Sequence, residues 1–121
     1  MILDFLTLAS IASMICFVLS FVWLFMPQRL LSIWGVSCNE SGVLVSRRGA
    51  ALFLGLGMIL FLARHAEMSP ARYAISVGFI IACLALAALG ILELVRKRAG
   101  IGILSAVLVE LLLAIAFYVQ L

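Results

Sequence analysis

The chain has 121 residues, of which 68% are hydrophobic and 11% charged, and its mean hydropathy is +1.40. A soluble domain is about one-quarter charged, so this composition excludes one and reads as an integral membrane protein. The net charge of +3 comes from basic residues at the ends of apolar runs, where they meet headgroups and set orientation, and nucleic acid is excluded as a partner.

A hydrocarbon core of ~30 Å takes about 20 apolar residues per helix. Four runs of that size fit, at residues 2–26, 43–63, 73–95 and 101–121. The expected fold is therefore all-α, one transmembrane four-helix bundle over residues 1–121, with no soluble domain.

The first run has no basic leader and no small-residue cleavage site before Pro27, so it reads as a retained span and not a signal peptide. At 100° per residue, Thr7, Ser10, Ser13 and Ser20 share a face with Ala9 and Cys16, and that face is expected to pack inward. Its hydroxyls either bond back to the preceding turn or line a polar path. Pro27 breaks the run. Residues 28–36 follow as an amphipathic interfacial segment, and Trp23 and Trp34 suit the headgroup level. Residues 37–42 read as the loop.

The second run carries Arg47 and Arg48 one turn inside its start, where they must snorkel or pair. Ala51 and Gly55 form a small-xxx-small pair on the face of Arg48, predicting close approach of another helix. The glycine-rich stretch lacks the Lys and Ser/Thr of a phosphate-binding loop. Residues 64–72 are a short polar turn with the single histidine, His65. In the third run Gly78, Ala82, Leu86 and Gly90 are assigned to one packing face together with Glu93, and Arg96, Lys97 and Arg98 close the span.

Orientation follows from the loops. Arg29, Arg47, Arg48, Arg96, Lys97 and Arg98 fall on one side and Arg64 and Arg72 on the other. The positive-inside rule then places the first and third loops in the cytoplasm and both termini in the periplasm. The Asn39-Glu40-Ser41 sequon lies on the cytoplasmic side, where it is not glycosylated. Cys16, Cys38 and Cys83 have no metal or redox spacing and read as unpaired thiols.

Two groups of residues carry the functional expectations. Arg47, Arg48 and Glu93 lie near the cytoplasmic ends of their spans, as an ion pair between Arg48 and Glu93 or as a headgroup site, with Arg96 to Glu93 as the pair within one helix. Glu110 lies about nine residues into the last run, roughly 14 Å along the axis and near the bilayer midplane, with no cation at its depth. Ala106 and Ala114 beside it let another helix approach. A carboxyl buried there without a cation is expected to be neutral and hydrogen-bonded, as glue between helices or as the proton site of a carrier.

The stretch from Phe25-Met26-Pro27-Gln28-Arg29 into Trp34-Gly35, followed by Arg47-Arg48-Gly49-Ala50-Ala51-Leu52-Phe53-Leu54-Gly55-Leu56-Gly57, resembles small bacterial four-helix membrane proteins of unknown function, loosely similar to the DoxX group. The resemblance implies a bacterial inner-membrane bundle and supplies no activity.

The function expected first is a non-enzymatic structural or accessory membrane protein, holding lipid or another apolar ligand between its helices. A proton-linked small-solute transporter using Glu110 is the second, and a lipid-active membrane enzyme the third. No cofactor or metal is expected, since one histidine cannot supply paired haem ligands or a histidine-rich metal site. The expected partners are membrane lipids, with a homo-oligomer or a membrane complex as the further expectation.

Overall fold

The run up to Phe25 becomes a helix because no glycine, proline or charge interrupts it between Asp4 and Met26. A computed structural model describes residues 4–37 and 39–121 of the chain. The start of the first predicted span and Cys38 lie outside the described residues. In chain order the elements are α1 (Phe5–Phe25), α2 (Pro27–Ile33), α3 (Glu40–Ala63), α4 (Pro70–Val95), a 3-10 turn (Ile101–Ile103) and α5 (Leu104–Val119). No strand is present among the described residues. Four helical segments, Phe5–Phe25, Glu40–Ala63, Pro70–Val95 and Ile101–Val119, are long and apolar enough to cross a membrane.

Side chains mark the helix starts. Asp4, Asn39 and Ser69 each accept a bond from a backbone N–H three residues on, at Thr7, Gly42 and Arg72, which satisfies one of the free donors of a first turn. Pro27 and Pro70 open α2 and α4, where a missing N–H costs nothing. α4 ends in a Schellman arrangement: Lys97 takes φ 60°, its N–H donates to Leu94 O, and Arg98 N–H donates to Glu93 O at 2.9 Å.

The four long helices associate as two antiparallel pairs, α1 with α3 and α4 with α5. Spacings of three and four set both seams. On α4 the buried positions are Ser76, Phe79, Cys83, Ala87 and Gly90; on the last helix they are Ile103, Val107, Ala114 and Phe117. Between α1 and α3 Gly57 is in close contact, where a Cβ would lie 2.9 Å from the Phe17 ring. Ser20 Oγ donates across this seam to Ala50 O at 2.8 Å. The pairs meet at one end through Phe5, Phe79 and Phe117, whose rings stack edge to face. At the other end Gly100 N–H donates to Trp34 O at 2.7 Å, backbone against backbone.

These seams correct several packing assignments. Ala51, Gly55 and Gly78 are exposed, and a Cβ at Gly55 or Gly78 would meet nothing within 4 Å. Steps of four residues overrun a helical turn by about 40° each, so Gly78 and Gly90 stand ~120° apart and cannot share a face. Gly90 is on the seam, against Val107, while Leu86 is exposed and Ala82 half-buried. On α1, Ala9, Ser13, Cys16 and Ser20 are buried as expected, whereas Thr7 faces outward.

Candidate functional site

Glu110 occupies the position on α5 between Val107 and Ala114, in the run of threes and fours that forms the seam with α4. Val107 and Ala114 are buried; Ala106 and Glu110 are half-buried. It is the tenth residue of the nineteen in the segment Ile101–Val119. Cys16 on α1 and Cys83 on α4 are both buried in the core. Cys16 and Cys83 are free thiols.

The hydrogen bond expected of Glu110 is not formed. Among the described residues Glu110 has no hydrogen bond or ion pair. The serines bond elsewhere: Ser10 Oγ donates to Leu6 O, Ser13 Oγ to Ser10 O and Ser20 Oγ to Ala50 O. Ser10 and Ser13 bond to carbonyls of the preceding turn and Ser20 bonds across the seam to α3, so none of these hydroxyls is given to Glu110. Its side-chain oxygens are not fully enclosed by the protein.

The second expected constellation is also rearranged. Arg47 and Arg48 are exposed on α3, which packs along α1 and not along α4. Glu93 pairs with Arg98, at 2.7 Å from Nε to Oε2 and 2.8 Å from a guanidinium N–H to Oε1. The Schellman turn accounts for this choice over Arg48 and Arg96, because it folds Arg98 back over the residue five positions earlier. The contact that is commonly hydrophobic in this motif is here a two-point ion pair. Both partners are partly exposed, so the pair contributes at most about 1 kcal/mol.

A polar cluster that the sequence presents only as a turn gathers at the opposite end. Arg64, His65 and Glu67 from the α3–α4 connection face Asp4 and Arg72 around one recess. Its members are scattered over three segments of the chain, and only the antiparallel pairing of the helices brings them together. Among the described residues no three of His, Cys, Asp and Glu gather to hold a metal ion. Comparison with protein-family models, curated proteins and solved structures finds no match for the chain.

Proposed function

We propose that this chain is a small non-enzymatic accessory protein of a bacterial cytoplasmic membrane, holding a lipid or another apolar ligand against its helices with Glu110 as the polar contact. The observation that carries this reading is the half-open Glu110 carboxyl at mid-span, which no side chain of the described residues satisfies. Leaving such a group unbonded in hydrocarbon costs several kcal/mol, so a hydrogen-bonding ligand with an apolar body gains by supplying the missing partner. The excess of basic residues in the first and third loops supports a cytoplasmic side there and periplasmic termini.

A photoactivatable fatty acid and a diazirine phospholipid serve as probes. The expected outcome is crosslinking to residues 106–114 in the wild type and a loss of about tenfold in Glu110→Asp and Glu110→Leu, near the worth of one hydrogen bond to a charged or strongly polar group. Equal crosslinking in all three proteins overturns the ligand reading.

The unbonded carboxyl favours a second reading, since an acid not locked into a permanent bond is free to exchange its proton. Proteoliposomes under a pH gradient separate the two. Proton flux that is present in the wild type and lost in Glu110→Gln makes the chain a carrier; no flux in either protein leaves the ligand-holding role.

A further inference from the structure

We propose that the recess at the α3–α4 connection binds a zwitterionic phosphodiester headgroup, with its phosphate between Arg64 and Arg72 and its ammonium at Asp4 and Glu67. The recess is shallow and wide open, with about 400 Å³ of accessible space, so it suits a headgroup at the surface. Its floor is the buried Phe5 and its rim is charged. This site stands apart from Glu110 and does not rest on the reading given for it.

Both guanidiniums are oriented without being neutralised. Arg72 lies 4.0 Å over the Phe5 ring and donates to Ala66 O at 3.3 Å. Arg64 lies 3.8 Å over the Phe61 ring and donates to Phe61 O. Among the described residues neither forms an ion pair with a carboxylate, although Asp4 and Glu67 line the same recess. A guanidinium carries five N–H donors, so each has donors left for an incoming oxyanion, and their stacking lowers the entropy lost on binding.

The charge balance selects the class of ligand. Two arginines face two acids, so the formal charges of these four side chains cancel. A simple anion would meet the carboxylates and a simple cation the guanidiniums. A dipolar ion satisfies both. The site is also at the right depth: it lies where four membrane-length segments begin or end, and Tyr73, next to Arg72 in the chain, and Tyr118, two residues before Gln120, are exposed, as aromatic residues are at the headgroup level. Leu6, exposed on the recess wall, leads onto the outer side of α1 and gives acyl chains a route into the bilayer.

The test is native mass spectrometry of the full chain in detergent, titrated with short-chain phosphatidylethanolamine, with phosphatidylglycerol of the same chain length, and with soluble glycerophosphoethanolamine. The wild type is expected to bind the ethanolamine lipid more tightly than the glycerol lipid. Arg64→Gln is expected to weaken the ethanolamine lipid about tenfold, as for one charge-assisted contact. Glu67→Gln is expected to cut the preference for ethanolamine over glycerol by about threefold, the effect of one exposed charge pair. Neither side chain holds helices together, so both variants remain folded. Displacement of the lipid by glycerophosphoethanolamine would identify a free headgroup as the ligand, and lipid binding that resists it would identify the membrane lipid; either supports the recess as the site where Arg64→Gln weakens that binding, and overturns it where the binding is unchanged. Equal or tighter binding of the glycerol lipid by the wild type overturns the proposal, as does unchanged ethanolamine binding in both variants.

Discussion

At the scale of single residues, Gly55 and Gly57 are near neighbours on α3 with opposite roles. A Cβ at Gly57 would sit 2.9 Å from Phe17 and 3.2 Å from Cys16, while one at Gly55 meets nothing within 4 Å. Gly57→Leu is therefore expected to destabilise the chain by about 1–3 kcal/mol through overpacking, and Gly55→Ala to stabilise it by about 0.5–1 kcal/mol through helix propensity. Thermal unfolding in detergent followed by circular dichroism reads both, and a larger loss at Gly55 than at Gly57 would reverse the assignment of the seam. Composition marks this segment as a place of close approach, but it does not say which glycine makes the contact. The register is set by the apolar partners, Leu60 and Phe53 on α3, and those follow steps of three and four together. Glu110 shows the same division. Its depth is legible from its distance to the start of the run, whereas its missing partner depends on where the serines of α1 spend their bonds.

Asp4 gives a pH-dependent counterpart. The Thr7 amide donating to its carboxylate at 2.8 Å holds that carboxyl below the usual aspartate range. A group whose folded pKa is depressed stabilises the fold above its unfolded value, about 3.9 for Asp, and this contribution is lost as pH falls through the lower folded value. Protection of the Thr7 amide from hydrogen exchange should accordingly be constant down to that range and decline below it. Asp4→Asn keeps the cap and is expected to remove the decline; a decline of the same size in Asn would assign it to another group.

At the scale of elements, composition and run length suffice for four membrane-length helices, and the break after the first is legible from Pro27. The junction between α2 and the turn before α5 is not. It is made by backbone, with Gly35 at φ 71° facing Gly100, and such a contact leaves no periodic trace in the side chains. Gly102 is the sharpest point of it, because a Cβ there would run into the Ile33 carbonyl oxygen. Backbone cannot swing away as a side chain can, so Gly102→Ala must displace either the end of α2 or the start of the 3-10 turn. A cost of about 1–3 kcal/mol is expected, against a gain of about 0.5–1 kcal/mol for Gly78→Ala on the open side of α4. Equal unfolding temperatures for the two variants would mean that the junction contributes nothing.

At the scale of the whole molecule, the two helix pairs are tight within themselves and meet through a buried core that runs from Phe5 to Cys16 on α1 against Leu60, Phe79, Cys83, Ala114 and Phe117, and through the backbone junction at the far end. In lipid such an arrangement is not closed by exclusion of water; it depends on close packing and on a few polar bonds. The glycine junction fastens one end and the aromatic cluster the other, where Phe117, fully buried, places its ring 6.1 Å from that of Phe5 and 4.9 Å from that of Phe79. Phe117→Ala removes the one ring shared by both pairs. The loss is expected to be about 2 kcal/mol, smaller than the 3–5 kcal/mol of a water-soluble core because lipid chains solvate the exposed surface. Its signature is spatial as well as energetic. Hydrogen exchange should rise together in residues 5–9 of α1 and 113–117 of α5, while the Trp34 to Gly100 junction at the far end keeps its protection. A uniform rise along all four long helices would instead mean that the pairs open as one unit.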